Sequence, residues 1–342
     1  MKENKTLALI RGVGRALSLL LVTLLVLALI LLGVVWVLEK GPSPTLTAAF
    51  CSSVRETSAI RWMSRIFLSD EELSAYIQES TSELETDEVN TSLIRIAARE
   101  NEAADADGEL ELIDITYGNC RGKLLIVHDP KRVILGYAGD YVSGKGLQLT
   151  EMVELCGGVA GINAGGFVDN NGLGNGGAAT GLVIRDGEIV NGSEKVRYSV
   201  IGLDQDGVLI VGSMTGAKAL EAGVVWGVSF VTHDGIASTL LINGEVQTKN
   251  LGRGVNPRTA IGQREDGALL LLVLDGRGVR TLGATLENVV DIMQQYGAVN
   301  AANLDGGSSS VMVYEGEIVN VCASVSGPRS IPTGFIVLGE GE

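Results

Sequence analysis

The chain has 342 residues, 41 acidic against 26 basic side chains for a formal net charge of −15, and only two histidines. That charge excludes a nucleic-acid surface as the default partner. The histidine count leaves little room for histidine-based catalysis or a His/Cys zinc centre.

Residues 1–15 carry Lys2, Lys5, Arg11 and Arg15, and the next stretch, Ala16–Leu38, has no charged residue in 23 positions. About 20 apolar residues suffice to cross a bilayer's hydrocarbon core, and only a helix satisfies every backbone group within one such segment. Residues 16–38 therefore read as a transmembrane helix with Trp36 near its outer end. The basic residues before the span place the N-terminus in the cytoplasm and everything beyond about residue 40 outside the cell membrane. A cleaved signal peptide would have a shorter apolar core, roughly 7–15 residues, ending at small side chains; here the run ends in Val34-Val35-Trp36-Val37-Leu38, so it reads as an uncleaved anchor.

Residues 39–109 read as a linker and an acidic helical segment. Gly41-Pro-Ser-Pro and onward to residue 58 has a linker's composition. Ser69 with Glu72 three positions on forms a capping-box pattern opening a helix whose apolar positions are Leu73, Tyr76, Ile77 and Leu84. A second helical piece is expected over Ser92–Arg99, followed by the acidic run Asn101–Glu109. Asp105-Ala-Asp-Gly108 faintly echoes a calcium loop but lacks the remaining ligand spacing, so a solvated turn is the better reading.

From Leu110 glycine becomes abundant, and β-like runs recur at Glu111–Thr116, Lys123–Val127, Leu182–Ile184, Val208–Val211, Ala268–Leu274 and Val311–Val313. Asp186-Gly187, Asp206-Gly207, Asn243-Gly244, Asp266-Gly267 and Glu315-Gly316 supply hairpin turn chemistry. Helical patterns occupy Leu149–Leu155, Thr215–Ala222 and Thr285–Tyr296. The expectation for residues 110–342 is one α+β catalytic domain of short strands with interspersed helices. Cys51, Cys120, Cys156 and Cys322 match no zinc spacing; free thiols and one disulfide both fit.

Five glycine-rich segments carry polar side chains: Gly161–Gly177, Asn256–Gly262, Leu274–Arg277, Asn303–Ser310 and Gly327–Thr333. Individually each reads first as turn chemistry. Together they look like polar groups presented by strand ends at a concave site. His128 and His233 lie outside them, which argues against a Ser-His-Asp hydrolase. No phosphate loop or dinucleotide fingerprint occurs. What remains is carboxylate chemistry beside arginines, Asp275 and Asp305 with Arg258, Arg277 and Arg329. Carboxylates suit glycosidic cleavage, and arginines suit a phosphate.

Those segments, Asn163-Ala-Gly-Gly-Phe167, Leu173-Gly-Asn175, Arg258-Thr-Ala-Ile-Gly262, Asp275-Gly-Arg277, Asn303-Leu-Asp-Gly-Gly-Ser-Ser309 and Pro328-Arg329, resemble the motifs of the phosphodiester glycosidase family in order and spacing over about residues 110–340. The chain looks closest to the anchored bacterial members, which often accompany surface-polysaccharide genes. It departs from the pattern at Asn163–Phe167, where many relatives have two adjacent aromatics.

The resemblance implies hydrolysis of the bond between a sugar's anomeric carbon and a phosphodiester, in surface polysaccharide or glycoconjugate metabolism. Asp305 is then the leading catalytic carboxylate. Arg258 and Arg329 bind the phosphodiester, and Asp275 is a second carboxylate or orients Arg277. Asn163, Asn175 and Asn303 hold sugar hydroxyls, and the Gly306 and Gly307 amides face an oxygen. Gly165, Phe167, Thr259, Arg277, Ser308 and Ser309 complete the substrate-binding set. No cofactor is implied, although Asp305 and Asp275 with nearby Asn side chains could hold a divalent cation. A non-catalytic polysaccharide- or teichoic-acid-binding module and glycosyl transfer at the same site are the alternatives.

Overall fold

The computed structural model describes residues 2–77, 89–95, 110–169, 174–232, 238–247, 251, 253–278, 281–324 and 327–339. The expected calcium-like turn at Asp105–Gly108, His233, Leu84 and Leu173 lie outside these residues.

The N-terminal apolar run is a single helix, α1 (Lys2–Lys40), of which Gly12–Lys40 is long and apolar enough to cross a membrane. The stretch expected to be a linker is instead mostly helical: α2 runs from Pro44 to Arg55. The Gly-Pro-Ser-Pro composition that suggested a linker is a helix start. The Ser43 hydroxyl accepts from the Leu46 N–H at 3.3 Å, and Pro44 at the first helical position brings a preset φ and needs no partner for its missing N–H. Ala48, Cys51 and Val54 form its buried stripe. Cys51 packs with Leu68 and Leu73, flanked by Phe50 and Tyr76. The helix α3 (Asp70–Ile77) has its capping box, with Glu72 N–H donating to the Ser69 hydroxyl at 3.2 Å and Ser69 N–H to the Glu72 carboxylate at 2.9 Å. The helix expected over Ser92–Arg99 is not seen where it is described. Thr91–Leu93 is one 3-10 turn, and the Arg95 N–H donates to the Glu265 carbonyl at 2.7 Å.

Strands follow in chain order: β1 (Leu110–Tyr117), β2 (Cys120–Val127), β3 (Val133–Tyr137), then α4 (Leu149–Leu155) and β4 (Gly158–Asn163). Next come β5 (Val183–Arg185), β6 (Glu188–Asn191), β7 (Arg197–Leu203), β8 (Leu209–Thr215), α5 (Gly216–Glu221) and β9 (Trp226–Ser229). The last are β10 (Thr239–Ile242), β11 (Glu245–Val246), β12 (Arg258–Arg264), β13 (Leu269–Leu274), α6 (Leu286–Gln295), β14 (Ala298–Asn303), β15 (Met312–Tyr314), β16 (Glu317–Ile318) and β17 (Thr333–Leu338).

They assemble into three sheets, ordered β1-β2-β13-β12-β14-β10-β11, β16-β15-β4-β17-β3 and β6-β5-β9-β7-β8. Pairing is antiparallel throughout. The inner faces of all three sheets meet in one core that includes Leu125, Leu271, Ile162, Phe335, Ile201 and Val228. Each outer face is covered by one helix: α6 on the first, α4 on the second and α5 on the third. This explains why Leu269–Leu274 is apolar at every position. Leu269, Leu271 and Val273 enter the shared core while Leu270, Leu272 and Leu274 pack under α6, as the two-residue period of a strand requires.

Hairpin turns carry the expected chemistry. Asp186-Gly187, Asn243-Gly244 and Glu315-Gly316 have positive φ at both residues, the geometry that matches strand twist in a two-residue hairpin. The four cysteines are free thiols.

Candidate active site

Antiparallel register decides which segments meet. Ala260 pairs with Asn303, Arg258 with Leu274 and Asn163 with Gly334. The chain leaving β4, β13 and β14 and the chain entering β12 therefore converge at one end of the sheets. Asn163 binds them together. It is buried, its Nδ2 donates to the Asp305 carbonyl at 2.6 Å, and its Oδ1 accepts from the Thr259 hydroxyl at 2.8 Å and the Val311 N–H at 3.1 Å. Asp305 N–H donates to the Ala164 carbonyl at 3.0 Å, and Leu304 N–H to that of Thr259 at 2.8 Å.

Over these strand ends lies a cavity of about 450 Å3 with Asp305 in its wall. Asp305 is half-buried by surface area, but its carboxyl is enclosed, and burial pushes its pKa up to about 7. Hydrogen bonds from the Ser309 hydroxyl and the Gly306 N–H and the charge of Arg329 act in the opposite sense, and the charge of Asp169 adds to the rise. On one side of Asp305, Arg329 pairs with Asp169 and donates to the Ser308 hydroxyl at 3.3 Å and the Gly174 carbonyl at 3.1 Å. Its guanidinium stacks 4.8 Å from the centre of the Phe167 ring.

The far side is completed by residues from well before the sheets. Glu56, just past α2, contacts Arg258 at 2.8 Å, and the two side chains are only 9% and 5% exposed. The same carboxylate accepts from Asn256 Nδ2 at 2.9 Å. Arg258 also donates to the Ala284 and Gly254 carbonyls at 3.1 and 2.7 Å. Arg277 donates to the Thr57 hydroxyl at 2.6 Å and to Asn256 Oδ1 at 3.1 Å. It has φ +54°, one of four described non-glycine residues in that region, a strain that clusters at functional sites. Arg277 is exposed by surface area, yet its guanidinium lies among protein atoms. That desolvation lowers its pKa, Arg258 adds to the effect and Glu56 opposes it.

The charges of this wall sum simply. Glu56 cancels Arg258, and Asp169 cancels Arg329. Arg277 makes hydrogen bonds only to neutral groups among the described residues. With Asp305 protonated the cavity wall therefore carries one positive charge in excess, and with Asp305 ionised it carries none. Asn303 Oδ1 is buried and has no donor among the described residues.

A sequence profile of phosphodiester glycosidases matches residues 157–338, more than half of the chain. The chain belongs to the phosphodiester glycosidase family. It is 27% identical over 160 residues to the mouse N-acetylglucosamine-1-phosphodiester alpha-N-acetylglucosaminidase, a match covering 42% of this chain and 30% of that one. It is 28% identical over 170 residues to the SPbeta prophage-derived uncharacterized protein YomE of Bacillus subtilis (strain 168), covering 47% and 25%. The chain thus spans between a quarter and a third of the curated relatives it matches. The fold is similar to the catalytic domain of the zebrafish alpha-N-acetylglucosaminidase, solved in a form auto-inhibited by its pro-peptide. The TM-score is 0.54 at 22% identity, over 77% of this chain and 97% of that one.

Of the residues expected from the family motifs, Asp305, Arg258, Arg277, Arg329, Phe167, Asn303, Gly306, Gly307, Ser308 and Ser309 line the cavity. Asp275 does not. Its carboxylate accepts from the Val321 N–H at 2.9 Å and from the Asn320 side chain, so it pins the 320–321 segment and neither faces Asp305 nor orients Arg277. The second carboxylate beside Asp305 is Asp169.

Asn163, Gly165 and Thr259 also lie behind the cavity wall. Asn163 and Thr259 bond each other, and Gly165 N–H donates to the Thr333 hydroxyl at 3.0 Å. Asn175 holds a neighbouring loop through the Gly144 carbonyl at 3.1 Å and the Gly177 N–H at 3.0 Å. The Gly306 and Gly307 amides are occupied, by the Asp305 carboxylate and by the Pro257 carbonyl at 2.9 Å.

Sequence reasoning missed Glu56, Thr57, Asp169, Thr180, Phe230, Thr232 and Ser324, all in the cavity wall. Asp169 had a signal, an acid two residues past Phe167 inside a glycine-rich motif; Glu56 had none. Among the described residues no group of three or more His, Cys, Asp or Glu side chains is placed to hold a metal ion.

Proposed function

We propose that the chain hydrolyses a sugar-1-phosphodiester, breaking the bond between the anomeric carbon and the phosphate oxygen. The observation that carries this reading is a juxtaposition in one cavity wall: Arg277, which has no hydrogen-bonded carboxylate partner among the described residues, and an enclosed carboxyl, Asp305.

In this reading Arg277 receives the phosphodiester and stabilises the charge that grows on the leaving phosphate. A phosphate leaves without being protonated, so the proton to be moved is that of the attacking water. Ionised Asp305 takes it as the water oxygen bonds to the anomeric carbon, and a pKa near 7 suits that task at neutral pH. Ser309 and Gly306 hold the carboxylate by its hydrogen bonds. Asn303 Oδ1 accepts from a hydroxyl or amide N–H on the sugar, which would satisfy a buried acceptor. Arg258 and Arg329, each held by a carboxylate, shape the cavity rather than receive the phosphate. The relatives named for an N-acetylglucosaminidase make N-acetylglucosamine the first sugar to offer.

The location forms part of the proposal. Lys2, Lys5, Arg11 and Arg15 hold the N-terminus on the cytoplasmic side and α1 crosses the membrane. The sheets then lie outside, where a surface polysaccharide or glycoconjugate would be the substrate.

The test is incubation of the full chain in detergent with UDP-N-acetylglucosamine, measuring free sugar, beside Asp305→Asn and Arg277→Ala. Release by the parent that both variants lose supports the reading. Release retained by Asp305→Asn overturns the role of that residue. Saturable binding of surface polymer without any product would instead favour a binding module.

A further inference from the structure

Exposed aromatic rings are unevenly distributed on this protein. Among the described residues the large exposed hydrophobics include four ring-bearing ones: Trp36, Trp62, Phe67 and Tyr141. Trp36 and Phe67 lie at or beside the C-terminal end of α1, and Trp62 is five residues upstream of Phe67. Trp36 is in its last turns. Trp62, 64% exposed, belongs to a 3-10 segment, Ser58–Arg65, and Phe67 follows two residues after it. Ile60 in the same segment is also exposed.

This segment is tied to the end of α1 rather than lying near it by chance of chain length. The Phe67 N–H donates to the Glu39 carboxylate at 2.7 Å. Lys40 reaches Glu72 at 2.5 Å. Wherever the end of α1 lies, Phe67 lies beside it. A 3-10 helix rises about 2.0 Å per residue and the two residues after it span at most about 3.5 Å each, so Trp62, five residues upstream, is within about 13 Å of Phe67 along the chain. The polar headgroup region adds roughly 5–8 Å on each side of a hydrocarbon core of about 30 Å. A protein surface in water has little reason to gather indole and phenyl rings at this one place, whereas headgroup depth favours them, since such rings offer an apolar body to lipid.

We propose that the Ser58–Phe67 stretch rests in the lipid–water interface of the bilayer that α1 crosses, with Ile60, Trp62 and Phe67 as its lipid-contacting side chains. This rests on the reading of α1 as a membrane span. It adds a second contact with the same leaflet and fixes how the protein stands on the membrane. A single helix would let the sheets swivel; a tethered ring-bearing segment beside it does not.

The experiment uses the full chain in lipid nanodiscs and reads tryptophan emission. The chain has three tryptophans, Trp36, Trp62 and Trp226. One variant, Trp36→Phe/Trp226→Phe, reports on Trp62 alone; a second, Trp62→Phe/Trp226→Phe, reports on Trp36. Thermal unfolding matched to the parent establishes that each is folded. Nanodiscs are prepared with ordinary phosphatidylcholine or with phosphatidylcholine brominated on its acyl chains, and aqueous iodide is added in separate samples. The expected result is loss of emission from both tryptophans in brominated lipid, with both shielded from iodide. If Trp36 is quenched by brominated lipid while Trp62 keeps its emission and is quenched by iodide, the interfacial contact is overturned and the span stands. If neither responds to brominated lipid, the span itself fails and the proposal with it.

Discussion

Removing Glu56 should destabilise a domain to which it does not belong in sequence. Its carboxylate is the only charge-compensating partner of Arg258 among the described residues, and both side chains are nearly sealed from water. Glu56→Ala leaves the guanidinium with the Ala284 and Gly254 carbonyls but without a counter-charge, and it strips the acceptor from Asn256 Nδ2. Breaking a buried pair by deleting one partner costs about 3–5 kcal/mol, because the other charge stays buried and uncompensated. For a domain of this size each kcal/mol moves Tm by roughly 2–4 °C, so the fall should be about 6–20 °C.

The assay is thermal unfolding of the full chain in detergent for Glu56→Ala, Arg258→Ala and the double variant. Because the two residues share one contact, the double variant should be less destabilised than the sum of the singles, by up to about 3 kcal/mol. A fall below about 3 °C for Glu56→Ala, roughly 1 kcal/mol, would refute the reasoning. It would mean that α2 lifts away and lets water reach Arg258 at little cost.

Three other outcomes are expected. Arg277→Lys should lower kcat/KM for a sugar-1-phosphodiester about 10- to 150-fold, the equivalent of roughly 1.5–3 kcal/mol in a hydrogen bond to a charged group; an unchanged value would remove Arg277 from phosphate binding. Asp305→Asn should abolish turnover yet gain stability relative to the parent as pH rises. The raised carboxyl pKa means that the parent's contribution is fully present below the unfolded value, near 4, and is lost as pH climbs through about 7. Unfolding of both proteins at about pH 5 and about pH 8 checks the sign, and a Tm difference that shrinks at the higher pH contradicts it. Asn163→Ala should cost about 3 kcal/mol or more in denaturant unfolding, because it leaves the Thr259 hydroxyl, the Val311 N–H and the Asp305 carbonyl unpaired behind the wall. A neutral result would mean that the three strand ends hold without it.

What could be read from the sequence was what local chemistry dictates. The apolar run ending at Leu274, the Asp186-Gly187 and Asn243-Gly244 turns and the apolar face of α6 each have a local cause, and each was visible. The segment Asn303–Ser309 was legible as a site for the same reason, a strand ending in polar side chains and glycine. Direction was not legible. An Asn or Asp at a strand end is equally able to face a cavity or to tie the backbone behind it. Asn163 and Asp275 do the second, while Asn303 and Asp305 do the first. Arg258–Gly262, read as a polar glycine-rich segment and family motif with Arg258 and Thr259 facing the substrate, is the buried first part of β12, in which Gly262 leaves room for the Met293 sulfur. Helix α2 was hidden because a short helix draws its stability from packing rather than from propensity, and its packing partners lie in Leu68 and Leu73.

Glu56 and Thr57 finish a site whose other residues all lie beyond residue 160, outside the span matched by the family profile. The boundary by which such a protein would be divided into exchangeable parts is therefore not the boundary of its candidate site. A chimera joining residues 110–339 to a different N-terminal segment would inherit Asp305, Asp169 and Arg329 intact. It would lose the counter-charge of Arg258 and the hydroxyl that holds Arg277. The segment just past α2 and the sheets therefore act as one unit when the protein is divided.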